Sequence, residues 1–176
     1  LISDTLIRFA EQIPYAFVVV WCIKYNGITA AQFGLLTAIE MLTAVLVYIP
    51  VAYLADRSTK KPFVVITFFN FTLFPLIILF SHSFWMMVVA FIVRGLKEFG
   101  EPTRKALIMD LAPEGKKAGM FGLYYLSRDV IVSFAAFGGA FLWEISPQVN
   151  FLMAFACGLA GTIYFWIFGK DLRSPI

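Results

Sequence analysis

Histidine occurs once in this 176-residue chain and cysteine twice, so the usual raw materials of metal binding and nucleophilic catalysis are scarce. His82 lies in a short loop with no second ligand near it in sequence. A zinc protease needs HExxH and an intramembrane serine protease needs a serine–histidine pair inside helices; neither is available. An aspartyl pair from Asp4 and Asp129 has no flanking motif to support it. Cys22 and Cys157 fall within apolar segments and read as small buried hydrophobes, not as a disulfide framework. The expectation is a non-enzyme without metal or cofactor.

Charge is also in short supply. Only 14% of residues are charged against 61% hydrophobic, and mean hydropathy is +0.84, which excludes a soluble domain. The net charge of +3 is small, and its cations sit at the ends of apolar blocks. That pattern speaks of membrane topology and not of nucleic acid. A cleavable signal is not evident, because Asp4, Arg8 and Glu11 interrupt the first apolar block. The chain starts at Leu1 and is expected to be a segment of something longer.

What the sequence has in abundance is apolar blocks of about 20 residues, the length that crosses a bilayer as helix. Six are read, at Ile2–Tyr25, Thr29–Tyr53, Pro62–Phe80, Phe84–Ala106, Ala118–Trp143 and Val149–Phe168. The fold expected is an all-α integral membrane bundle of six transmembrane helices over residues 1–176. Asn26-Gly27, Ser81–Ser83 and Ser146-Pro147 mark short turns. Pro62 suits the first turn of the third helix, whereas Pro14, Pro50 and Pro75 fall inside blocks and should kink them. Arg57, Lys60, Lys61, Arg104, Lys105, Lys116, Lys117, Lys170 and Arg173 all fall on one side of the bundle and only Lys24 on the other. The positive-inside rule then places both ends in the cytoplasm.

Ionisable residues within spans are costly and usually face a bundle interior or a watery cavity. Asp4, Arg8 and Glu11 recur at i, i+4 and i+7, on one face of the first helix. The second block holds Glu40, the fourth Arg94, Lys97 and Glu98, and the fifth Arg128 and Asp129. The third and sixth hold none and are free to face lipid. At 1.5 Å per residue, Glu11, Glu40, Arg94 and Arg128 lie roughly 13–18 Å from the entry side, near mid-membrane. Two acids and two arginines at one depth predict a polar site; the bland alternative is a pair of buried salt bridges that fix helix packing.

After Arg94 the fourth block turns polar. Lys97, Glu101 and Lys105 recur at i, i+4 spacing, which predicts a helix leaving the membrane with its solvated end laced by ion pairs. In the sixth block, Ala154, Gly158 and Thr162 recur every four residues and predict a helix-packing face.

The stretch Leu54–Pro62, LADRSTKKP, joins the second and third blocks. Asp56 at the carboxyl end of a helix meets that helix's negative pole, so Arg57 or another helix's amino end should answer it. This loop resembles the signature loop of the major facilitator superfamily: Leu54, Ala55, Asp56, Arg57, Lys60 and Lys61 match, while Ala52 and Thr59 replace two glycines. Ala52 still permits close helix approach, but β-branched Thr59 resists a positive φ. Arg94 is similar to the family's fourth-helix arginine. The segment Pro102–Gly119, with Asp110, Pro113, Glu114, Lys116 and Lys117, is similar to its loop between the fourth and fifth helices. Gly138-Gly139 keep part of the antiporter motif, but Ala135 stands where that motif has proline, so antiport is not supported.

The resemblance implies a six-helix half of a twelve-helix secondary transporter, and the weakened motifs suggest the C-terminal half. It implies that the first and fourth helices line a central cavity, the second and fifth flank it, and the third and sixth lie outside. The partners expected are a small-molecule solute, protons if Glu11 or Glu40 titrates, the bilayer of the cell membrane, and a second half in the same chain or a dimer. On this reading Asp4, Arg8, Glu11, Glu40, Arg94, Lys97, Glu98, Arg128 and Asp129 form the solute and proton pathway. Asp56, Arg57, Lys60 and Lys61 form a conformational loop. The competing reading is a non-transporting membrane subunit in which the same charges are structural.

Overall fold

A computed structural model describes residues 1–55 and 57–170. Among these the chain forms eight α-helices and one π-helical turn: α1 (Ile2–Gln12), α2 (Phe17–Val20), the π turn (Trp21–Tyr25), α3 (Ala30–Ala55), α4 (Lys61–Phe80), α5 (Phe84–Leu96), α6 (Glu101–Asp110), α7 (Lys117–Ile145) and α8 (Pro147–Phe168). Five of the six apolar blocks become helical runs long and apolar enough to cross a membrane. The fourth is divided between α5 and α6 and is not one continuous span.

The first block is also interrupted, between α1 and α2, and both interruptions have a local cause. Pro14 has no N–H to continue α1, and the Tyr15 and Phe17 amides bond three residues back, to Gln12 and Pro14. The carbonyl of Ile13 therefore lacks its helical donor, and the side-chain amide of Asn150 in α8 supplies one at 3.2 Å. That amide also donates to the Gly139 carbonyl of α7 at 2.8 Å. Gly139 is needed here, since a Cβ would overlap the Ile13 carbonyl. Pro50 and Pro75, by contrast, are absorbed within α3 and α4, which continue through them.

The second interruption follows from Gly95, Gly100 and Pro102 within eight residues. From Lys97 to Glu101 the amides again bond three residues back, except that of Gly100, which donates to Thr67 Oγ1 at 2.5 Å. A side chain at Gly100 would strike the Phe63 carbonyl, so α6 starts tight against α4.

Packing centres on α4, which touches α1, α5, α6 and α8. Ten of its 20 residues are buried, against three of 26 in α3. Lack of charge therefore does not send the third block to the periphery: an apolar helix can be buried by its neighbours as readily as by lipid. Helix α8 lays Ala154, Gly158 and Thr162 against α1 and α4, with the Thr72 and Thr162 hydroxyls 2.9 Å apart. The expected packing face is thus formed within the chain. Helices α3 and α7 instead present exposed apolar rows, such as Met41, Val45 and Ile49, and Phe134, Phe137 and Phe141.

Candidate functional site

Ten charged side chains among the described residues form one chain of contacts in which the sign alternates at every step. Arg94 Nε lies 3.3 Å from Glu40 Oε1, which lies 3.6 Å from Lys97 Nζ. Lys97 Nζ reaches Glu11 Oε1 at 2.7 Å, and Glu11 Oε2 accepts from Arg8 Nη1 at 2.6 Å. Arg8 Nη2 continues to Glu101 Oε1 at 3.1 Å, and Glu101 takes both Nη2 and Nε of Arg104, at 2.5 and 2.8 Å. Arg104 Nη1 meets Asp4 Oδ1 at 2.6 Å, Asp4 Oδ2 meets Arg128 Nη1 at 3.3 Å, and Arg128 Nη2 ends on Asp129 Oδ1 at 2.6 Å.

Five bases and five acids cancel, so the ladder carries no net charge; nine of its side chains are largely buried and Asp129 is exposed. Helix α1 is its spine, contributing Asp4, Arg8 and Glu11 from one face as their spacing predicts. The break after α5 supplies Lys97, which therefore leaves its own helix and bridges α1 to α3. Aromatic rings complete the surroundings: Arg128 stacks over Tyr125 at 4.2 Å and Arg94 over Phe74 at 5.1 Å. The Tyr124 hydroxyl donates to Asp4 Oδ2 at 3.0 Å.

The four residues placed at one depth by sequence do not form a single cluster. Glu40 and Arg94 pair directly, and Glu11 joins them through Lys97. Arg128 lies at the other end of the ladder, separated from Glu11 by Arg8, Glu101, Arg104 and Asp4. Depth counted along separate helices says nothing about which faces meet, and that is why the match in level did not yield the pairs.

Glu101 and Arg104 were expected at a solvated helix end. They are instead 5% and 3% exposed. The break at Gly100–Pro102 redirects α6 so that both side chains turn inward against α1. Lys105, half exposed and 4.0 Å from Glu101, keeps the expected i, i+4 contact, whereas Lys97 turns away to Glu11 and Glu40. The two glycines and the proline were the available signal, because they make a straight continuation of the fourth block unfavourable.

Three openings of several hundred Å³ meet the ladder, and the largest of them, about 590 Å³, is lined by Asp4 and Arg104 together with Val64, Phe68, Tyr124 and Phe165. A second of about 390 Å³ lies between α1 and α7, lined by Arg8, Gln12, Arg128, Asp129, Val132 and Ser133. The third, about 520 Å³, lies between α3 and α5 and includes Glu40, Lys97 and Glu98. Glu11 and Arg94 line none of the three and share with Lys97 only a crevice of about 10 Å³.

In the signature loop, Asp56 lies outside the described residues. Arg57 stacks over Tyr53 at 4.3 Å, and Lys60 Nζ bonds Asp110 Oδ2 at 2.5 Å, fastening the loop to the end of α6. Lys61 opens α4. Thr59 does not take a positive φ, so the turn closes without the conformation that glycine would supply.

Comparison with known proteins agrees with this architecture. A family model described as Major Facilitator Superfamily matches residues 2–175. The uncharacterized MFS-type transporter YqjV of Bacillus subtilis is 24% identical over 172 residues, covering 96% of this chain and 42% of that protein. The quinolone resistance protein NorA of Staphylococcus aureus is 28% identical over 145 residues, covering 80% of this chain and 37% of that protein. The chain thus spans less than half the length of these curated relatives.

Proposed function

The chain belongs to the major facilitator superfamily, and from that premise we propose that it forms one six-helix half of a secondary transporter that moves a small solute by alternating access. The observation that carries this reading is the ladder. Nine charges held inside an otherwise apolar bundle, with Asp129 at its surface, are expensive, and such groups in membrane proteins usually serve a solute or ion path. Two of the helices that bear them are interrupted, a recurring feature where transporters bind solute between repeats. The second half belongs to the same chain or to a dimer partner, a view supported by the relatives' greater length.

Arg8, Arg128 and Asp129 at one opening, and Glu40, Lys97 and Glu98 at another, meet the solute. Asp4 meets it at the largest opening, beside Arg104, while Glu11 and Arg94 stand behind and hold the others in position. Protons couple to transport where Glu11 or Glu40 exchanges its cation for a proton as the ladder rearranges. Asp56, Arg57, Lys60 and Lys61 govern the conformational equilibrium from the cytoplasmic side of the cell membrane, with Lys60 anchored on Asp110.

One observation favours the competing reading, a subunit whose charges are scaffold: each arginine of the ladder is already held by a carboxylate. Uptake into proteoliposomes bearing the full-length protein separates the two. NorA's name makes a radiolabelled quinolone the first solute to try. Uptake that exceeds protein-free liposomes and responds to an imposed proton gradient supports coupled transport. Folded protein that moves no solute of a broad panel, with or without the gradient, would leave the scaffold reading standing.

A further inference from the structure

The largest opening lies at the end of the bundle that carries the signature loop, where α4 and α7 begin and α6 and α8 end. Its walls are apolar, from Val64 and Phe68 of α4, Leu107 of α6, Leu123 of α7 and Phe165 of α8. From Lys117 at the start of α7 to Ser127, the deepest α7 residue lining it, runs about 15 Å of helix. That is half of a hydrocarbon core about 30 Å thick, the depth of one leaflet. A slot of about 590 Å³ with that depth has room for a lipid tail.

Three charged side chains line it, Asp4, Arg104 and Lys170, with a net of +1. Asp4 and Arg104 neutralise each other at 2.6 Å and have further partners, Arg128 and Tyr124 for the carboxylate and Glu101 for the guanidinium. The inner end therefore needs no counter-charge and suits hydrocarbon. Lys170, just beyond the end of α8, is exposed and makes no ion pair within 4 Å with any described residue. The surplus positive charge thus stands at the mouth, at the level of lipid headgroups. Water alone would leave the apolar walls wet, and a cationic amphiphile would set like charge against Lys170. A hydrocarbon tail beneath an anionic headgroup satisfies both the walls and the charge.

We propose that this opening holds one acyl chain of an anionic phospholipid of the bilayer, with the headgroup phosphate on Lys170. This rests on the transporter reading only in that solute reaching Asp4 there must displace the chain; binding itself requires no movement. The test uses the full-length protein in phosphatidylcholine nanodiscs. These carry a small fraction of either phosphatidylglycerol or phosphatidylcholine with a photoactivatable diazirine at the end of one acyl chain, and adducts are mapped by peptide mass spectrometry.

Asp4, Val64 and Phe68 are buried from bulk lipid, so adducts on them report a tail inside the opening. Phosphatidylglycerol is expected to label them about fivefold more than phosphatidylcholine, a preference that Lys170→Gln removes and Lys170→Arg keeps. Leu123→Trp, which fills the slot from α7, should abolish labelling of the three while leaving adducts on exposed residues such as Ile163 and Trp166. Adducts confined to exposed residues would overturn the inference and mean that water or another part of the protein fills the opening. Equal labelling by the two lipids, or labelling of the buried three that Leu123→Trp leaves unchanged, would overturn it as well. If Leu123→Trp does not fold, Met120→Trp on the same wall decides: loss of that labelling supports the site and retention overturns it. A tail held in the opening of a protein that moves no solute would defeat the transporter reading alone. Transport by protein whose buried three stay unlabelled would defeat this inference alone.

Discussion

Lys97 Nζ lies 2.7 Å from Glu11 Oε1, and this contact joins the two interrupted helices next to their breaks. Glu11 is the penultimate residue of α1, and Lys97 is the first residue beyond α5. A salt bridge between two uninterrupted helices resists only sliding. Here the ion pair couples two places where the backbone has already given up part of its hydrogen-bond ladder, so shifting either break must stretch or remake it.

Lys97→Met should destabilise the protein by about 3–5 kcal/mol, because the Glu11 and Glu40 carboxylates would then flank an empty site that held their shared cation. Glu11→Gln combined with Lys97→Met should recover most of that loss. Denaturation of the purified protein measures both, and a double mutant no more stable than Lys97→Met would contradict the shared-cation account.

The order of the ladder can be checked by double-mutant cycles. Asp4 and Arg104, 2.6 Å apart and both buried, should couple by about 1–3 kcal/mol. Glu11 and Arg128, separated by four intervening ladder members, should add with a residual below about 0.5 kcal/mol. Strong coupling of the second pair would mean that the charges are arranged differently from the sequence of contacts described.

Asn150 serves the Pro14 break through its two bonds to the Ile13 and Gly139 carbonyls. Asn150→Leu leaves the Ile13 carbonyl without that donor and should cost about 1–3 kcal/mol. Gly139→Ala should also destabilise, by forcing α7 off the same carbonyl. Wild-type thermal stability in both variants would show that the break does not depend on these contacts.

Charge bias predicts cytoplasmic termini and a cytoplasmic Ser58. With Cys22 and Cys157 replaced, Ser58→Cys should react with an impermeant thiol reagent only from the cytoplasmic side, and His82→Cys only from outside. Labelling of both from one side would refute the alternation of spans between them.

Much of this protein was set by sequence alone. Long apolar blocks with cations gathered at their ends admit little besides a helical membrane bundle, since backbone groups in lipid must be bonded within the segment. The loop residues Leu54 to Lys61 identified the family, and the spacing of Asp4, Arg8 and Glu11 placed three charges on one face, because helix periodicity is a local property. The small residues of α8 likewise marked a packing face. Only the tertiary structure decided which charge meets which. Glu101 and Arg104 turn inward because Gly100 and Pro102 let α6 start at a new angle, and Lys97 crosses to Glu11 because its helix has just ended. Pairing depends on the relative rotation of helices far apart in sequence. That rotation is set by close approaches such as Gly139 on Ile13 and Gly100 on Phe63, contacts whose energy exists only once the bundle has assembled.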